Sequence, residues 1–292
     1  MIETIELTKT YGKVRAVDGL SFSARPGRVT GFLGLNGSGK STTLRMLLGL
    51  TRPTAGEALI DGKPFTELPQ PLRRVGAVLE QGLSHPGQSG RAHLVSQAIL
   101  AGAGKDRVDR LLELVGLADD AHRRTGDYSL GMRQRLAVAT ALLGEPDVLV
   151  FDEPANGLDP SGMAWLRDLL RDHADAGGTV LISSHLLAEL AQLIDDVVII
   201  ADGRLREAMP LTELYGLATQ RLRVQGADPS RLGQVFEGAG ASVTAVEETL
   251  EVVGLEAREA GEIAFAEGIP LYELTVETPH LEQIFLDLAG AR

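Results

Sequence analysis

The run GLNGSGKST, Gly34 to Thr42, gathers three glycines, one lysine and three hydroxyl side chains in nine residues. Glycines at 34, 37 and 39 let the backbone turn tightly enough for consecutive N–H groups to face an anion, and the helical pattern that follows, TTLRMLLGL, adds the positive end of its dipole. The spacing is G-x-x-x-x-G-K-[ST], that of a phosphate-binding loop. On that reading Asn36, Gly37, Ser38, Gly39 and Thr42 surround the phosphates, Lys40 meets the β- and γ-phosphates of a nucleotide, and Ser41 ligates Mg2+. A flexible glycine turn is the plainer alternative. The strand pattern before the run and the helix after it favour the loop.

Polarity interrupts apolar runs at two further places. In DVLVFDEP, Asp152 closes a continuous apolar strand pattern, where an acid needs a partner, and nucleotide-bound Mg2+ supplies one. Glu153 follows it, placed to orient an attacking water or to act as its base. The two acids alternatively open a solvated loop before Pro154. His185 ends VLISSH in the same manner. An imidazole there caps or packs, or beside a nucleotide reaches the γ-phosphate and the water. Tyr11 in TKTYGKV either stacks on adenine or packs. YSLGMRQR, Tyr128 to Arg135, either is a plain helix start with Ser129 as its N-cap or carries chemistry of its own, and the local residues do not choose. The histidines at 85, 93, 122, 173 and 280 have no metal-ligand spacing and read as surface or packing residues.

Positioning these groups requires an α/β scaffold. Over 292 residues, 44% are hydrophobic and 23% charged, the composition of a globular chain of about two domains. No apolar run reaches 18 residues and no signal-peptide pattern opens the chain, so no segment is expected to span or target a membrane. The absence of cysteine excludes disulfides and zinc–thiolate sites and fits a cytosolic protein. A net charge of -12 repels a phosphate backbone, so nucleic acid is not an expected partner.

From Ile2 to about Leu211, short apolar or β-branched runs alternate with helical patterns, as in a largely parallel sheet with helices on its faces. The expected strands are 29–34, 75–80, 147–153, 179–184 and 197–203, with IETIEL and GLSFSA as an antiparallel layer. A helical insertion is expected over Gly90 to Leu117. After the connector 209–220 the character changes. From Arg221 to Arg292 there are 13 Asp and Glu against 5 Arg and no Lys, which is -8 of the chain's -12. The order there is strand, helix, strand, strand, helix, strand, followed by the helix PHLEQIFLDL, which suggests a small ferredoxin-like domain.

The order TYG, GLNGSGKST, YSLGMRQR, VLVFDEP, NGLD and ISSH, over residues 11 to 185, resembles the nucleotide-binding subunit of ATP-binding-cassette transporters. The resemblance implies a P-loop ATPase domain over 1–215 with a helical subdomain at about 83–140, and an acidic α+β accessory domain over 221–292. It identifies YSLGM with the family's signature Leu-Ser-Gly-Gly-Gln: Ser129 and Gly131 match, while Tyr128, Leu130 and Met132 depart. It implies that the signature serves the opposite subunit of a homodimer, so that two chains sandwich two ATP, and that Asp159 communicates between the sites. Tyr11 then stacks on adenine, Glu153 and His185 are catalytic, and Ser41, Asp152 and either Glu80 or Gln81 hold Mg2+, both registers remaining open. The implied activity is ATP hydrolysis driving transport through separate membrane-spanning permease subunits docked near Leu83 to Leu117, with this chain on the cytoplasmic face of the membrane. The C-terminal ending resembles ATPases of drug, antibiotic and bacteriocin-immunity exporters, which favours export. The alternative is a soluble ABC ATPase in a regulatory, repair or translation role.

Overall fold

The structure is a computed structural model that describes residues 1–79, 84–216, 221–277 and 281–288. The chain forms two compact units, divided at Leu211 and Thr212.

The first unit opens as an antiparallel ribbon, β1 (Ile2–Tyr11) against β2 (Val14–Ala24). The chain then enters the main sheet as β3 (Arg28–Leu33), runs through the glycine loop into α1 (Lys40–Leu47), and returns as β4 (Ala55–Ile60) to pair with β1. After α2 (Pro71–Arg74) and β5 (Val75–Val78) come three helices, α3 (Gly90–Ala101), α4 (Lys105–Leu114) and α5 (Leu130–Ala141). The remainder alternates: β6 (Val148–Phe151), α6 (Pro160–Asp175), β7 (Thr179–Ser184), α7 (Leu187–Leu190), β8 (Asp196–Ala201) and β9 (Arg204–Pro210), and α8 (Leu211–Gly216) begins at the boundary and belongs from Thr212 to the second unit.

The main sheet has the order β5-β6-β7-β3-β8-β9, parallel except for the antiparallel β8–β9 pair. Every residue of β6, β7 and β8 is buried, the mark of strands covered on both faces. The antiparallel layer shares a core with this sheet: Phe22 of β2 stacks on Phe32 of β3 at 5.1 Å, among Ile2, Leu7, Leu44, Val150 and Ile200. Each such buried side chain contributes about 2 kcal/mol of transfer free energy.

The main-sheet strands expected from sequence recur, β7 with the same bounds and the others with ends shifted by one or two residues, and Glu80 at the end of the second lies outside the described residues. Two strands were not foreseen. In β4, AGEALI, small and polar residues mask the pattern. In β9, RLREAMP, helix-forming residues and a terminal proline sit on a sheet edge, so Met209 and Pro210 belong to a strand rather than to a connector.

The second unit contains β10 (Arg221–Gly226), α9 (Pro229–Gly238), β11 (Ser242–Val246), β12 (Thr249–Val253), α10 (Ala257–Ala266), β13 (Leu271–Glu277) and α11 (Leu281–Leu288). Its sheet runs β11-β12-β10-β13 with every pair antiparallel. Alternation sets its faces. Leu222, Val224, Leu250 and Val252 point into a core with Phe236, Ala260 and Ala264, while Arg223 faces outward near Glu273 and Glu277. Among the described residues, no helix is long and apolar enough to cross a membrane.

Candidate functional site

Three adjacent parallel strands end at one rim, the position where α/β sheets present their loops to ligands. Leu33 of β3 pairs with Ser184 of β7, and Phe151 of β6 pairs with Ile182 of β7. The residues that follow these strands, the glycine loop, Asp152–Glu153 and His185, are therefore delivered side by side. A cleft of ≈ 340 Å³ is lined by Leu35 to Thr42, Ala16, Glu153, Asn156 and His185.

The glycines of the loop are required by geometry. Gly37 and Gly39 have φ of 83° and 106°, left-handed values that disfavour side chains, and a Cβ on Gly39 would lie 2.5 Å from the carbonyl oxygen of Ala16. This close approach turns the backbone into the start of α1. Lys40, only 6% exposed, donates to the carbonyl oxygen of Gly34 at 2.6 Å and pairs with Glu153 Oε1 at 3.4 Å. A buried ammonium needs such partners, and phosphate oxygens fit the same need. Ser38 Oγ is buried in the loop without a hydrogen-bond partner, an orphan that an incoming acceptor or donor would satisfy. The residues present thus fit a bound nucleotide phosphate.

The acids are held from beneath by Ser183. Its hydroxyl donates to Asp152 Oδ1 at 2.5 Å and accepts from the N–H of Glu153 at 2.9 Å. Glu153 sits at φ 49°, a left-handed conformation sustained here by that N–H anchor and by its side-chain contacts. Its other carboxylate oxygen, Oε2, lies 2.9 Å from Nδ1 of His185. Glu153 therefore bridges the lysine and the histidine at the mouth of the cleft.

Ser129, Gly131 and Asp159 do not line this cleft. Ser129 caps α5, accepting from the N–H of Met132 at 3.2 Å, and is exposed. Asp159 caps α6 in the same way, accepting from the N–H of Gly162 at 2.8 Å. That N–H, the Ser161 hydroxyl and the nearby charge of Arg135 hold the Asp159 carboxyl below its ordinary range. Two of the three departures, Tyr128 and Leu130, have structural occupations. Tyr128 is buried, abuts Gly90 and donates to the carbonyl oxygen of Asp120 at 2.8 Å, while Leu130 packs onto Gly157. Tyr11 is 50% exposed with the ammonium of Lys9 over its ring at 5.0 Å. Glu80 and Gln81 lie outside the described residues.

Residues 17–156 match the ABC transporter family, and residues 220–282 match a domain of unknown function. The bacitracin transport ATP-binding protein BcrA of Bacillus licheniformis is 36% identical over 99% of this chain and 97% of its own length. The chain belongs to the ATP-binding subunits of ABC transporters. The daunorubicin/doxorubicin resistance ATP-binding protein DrrA of Streptomyces peucetius is 35% identical over 99% of this chain and 92% of its own. A solved ATP-binding subunit of an ABC transporter superposes with TM-score 0.68 at 27% identity, over 74% of this chain and 92% of that one. A dimeric bacterial ABC transporter cassette gives 0.64 at 25%, over 72% and 99%.

The protein is thus an ABC ATPase, and the two relatives named above, each matched over 99% of this chain, carry transport and drug-resistance names. Within this ABC subunit the fold gathers the loop residues 36 to 42, Glu153 and His185 in the cleft, with Asp152 buried below it. Sequence reading missed Ala16, Asn156 and Ser183. Of these Ser183 carried a signal as a polar residue inside an apolar strand, and Asn156 stood in the NGLD motif without being assigned to the cleft.

Proposed function

We propose that this ABC ATPase works as a homodimer that closes around two Mg-ATP and drives export of an antibiotic, drug or peptide through a separate permease. The observation that carries the dimer is the division of the site: Lys40, Glu153 and His185 share one cleft, while the exposed helix caps Ser129 and Asp159 stand apart from it. A hydroxyl and free N–H groups at a helix start are a γ-phosphate receptor left to serve a second copy. The dimeric form of a cassette with this fold supports the reading.

In this reading Tyr11 stacks on adenine, Asn36 to Thr42 with Lys40 hold the phosphates, and Ser129, Gly131 and Asp159 complete the partner's site. Glu153 orients and deprotonates the attacking water, and His185, hydrogen-bonded to it, fixes its carboxylate and reaches the γ-phosphate. Among the described residues no three acids or histidines form a metal site by themselves, so Mg2+ belongs with the nucleotide, held by Ser41 and Asp152. Bound there, the ion would neutralise charge on the transferred phosphoryl group.

Export is supported by the relatives' roles in bacitracin transport and in daunorubicin resistance. The permease would dock on the helical subdomain near Leu83 to Leu117, where exposed Ile99 and Leu100 of α3, with Leu72 of the neighbouring α2, adjoin an apolar groove of ≈ 310 Å³ reaching Leu50, Phe65 and Leu79. That places the chain on the cytoplasmic face of the membrane. We assign residues 1–215 to the motor and 221–292 to a ferredoxin-like accessory domain that stabilises the dimer or tunes turnover.

Glu153→Gln provides the test. It keeps the carboxylate's shape and removes its basicity, so hydrolysis should fall by about 100-fold or more. With saturating Mg-ATP the variant should sediment as a dimer; a monomer under those conditions would sink the sandwich.

A further inference from the structure

The C-terminal end of α4 is satisfied in an unusual way. A helix leaves its last carbonyls without intrahelical donors. Here the N–H groups of Val115, Gly116 and Leu117 return to the carbonyl oxygens of Leu111, Glu113 and Leu112, at 3.0, 3.0 and 2.8 Å. Gly116 takes the left-handed φ of 68° that this closure needs. Two carbonyls remain, and neither is met by its own helix. Trp165 Nε1 of α6 donates to Leu114 at 3.1 Å, and Arg135 Nη1 of α5 donates to Val115 at 3.1 Å. The Arg135 guanidinium also lies over the Trp165 ring, 4.6 Å from its centroid. One cation, one indole and one helix end therefore close a three-way junction, with the positive charge at the negative end of a helix dipole.

The position of this junction gives it a role. Arg135 is six residues beyond Ser129, the cap of α5, and Trp165 is six beyond Asp159, the cap of α6. Both donors thus sit on the second turn of the two helices whose caps face the partner's nucleotide. At the caps the start of α5 also touches the loop that leads into α6, with Leu130 on Gly157 and a Cβ on Gly131 only 3.2 Å from the Gly157 carbonyl oxygen. Contact at the first turn and a latch at the second fix two helices in both separation and rotation.

We propose that Arg135 and Trp165 are positioning residues that lock Ser129 and Asp159 into one rigid receptor, so that the signature and the loop before α6 engage the opposite nucleotide as a unit. The assignment of a receptor for the partner's nucleotide rests on the homodimer reading above; the latch itself does not.

Hydrogen exchange on the nucleotide-free chain tests the latch alone. Trp165→Ala and Arg135→Ala should each speed exchange in 129–133 and in 159–162 together, about tenfold. The double variant should do no more than either single one. Trp165→Phe keeps a ring for the cation, loses the N–H donor and should fall between. Trp165 is the chain's one tryptophan, so Arg135→Ala should also shift its emission and raise its quenching by acrylamide. In the Glu153→Gln background the alanine variants should weaken ATP-dependent dimerisation about tenfold, and leave Mg-free ATP binding to the monomer within about twofold. Unchanged exchange in either segment, or dimerisation equal to the parent, overturns the proposal. Failure of the parent to dimerise removes the homodimer reading and leaves exchange to decide the latch. Should Trp165→Ala not fold, Trp165→Phe and Arg135→Lys carry the same exchange comparison.

Discussion

A single hydroxyl orders the chemistry of this site. Ser183 ties the Asp152 carboxylate to the N–H of Glu153 and so sets both acids, the one proposed to face the metal and the one proposed to face the attacking water. Ser183→Ala strands the buried Asp152 oxygen and an N–H in a left-handed residue, a cost of about 1–3 kcal/mol. We expect kcat for ATP hydrolysis to drop about tenfold or more because the base is misplaced, while Mg-free ATP affinity stays unchanged. Unaltered kcat would remove Ser183 from the site's supporting structure. At this scale the sequence was informative wherever a polar residue ended an apolar run, as with Asp152 and His185. It was silent on Ala16, which reaches the cleft through a tertiary approach that leaves no local pattern, and it held Asn156 in NGLD without pointing it at the cleft.

At the scale of elements, α3 and α5 are joined by His93. The hydroxyl proton of Thr140 goes to the carbonyl oxygen of Leu136 at 2.8 Å, so Thr140 Oγ1 accepts, at 3.2 Å, from a neutral His93 protonated on Nε2. Burial holds the His93 pKa below its ordinary value, and burial acts likewise on His173. The sign follows from proton uptake. Below pH about 6.5 the unfolded chain binds protons that the folded chain resists, so stability is complete above that pH and declines as pH falls toward the folded pKa. Urea unfolding should show a lower midpoint at pH 5.5 than at pH 7.5, and His93→Gln should make that difference smaller. An equal difference in the variant would show that His93 is not a source of the slope. The elements themselves were legible where the strand is buried on both faces, as in β7, whose bounds were read without error. They were obscured in β4 and β9, because an edge strand with helix-forming residues is held by its neighbours and not by its own propensities.

For the whole molecule, charge and core are divided differently. The segment from Arg221 to Arg292 carries -8 of the net -12, and it has its own core of Leu222, Val224, Phe236 and Val252. The core of the nucleotide-binding unit draws on residues 2 to 205. A chain ending at Tyr215 should therefore fold and bind ATP within about twofold of the full chain, with changed turnover or dimer affinity. If folding, turnover, dimerisation and transport were all unaltered, the accessory role would be abandoned. The strand order also imposes a sequence of events in time. β3 lies between β7 and β8, so its sheet partners are 179–184 and 196–199, far along the chain. During synthesis the β1–β2 ribbon can close early from near neighbours, yet the strand that launches the glycine loop waits until most of the unit has left the ribosome. Lys40 is then without Glu153 for more than a hundred residues of elongation, and the nucleotide cleft is among the last features of its own unit to form.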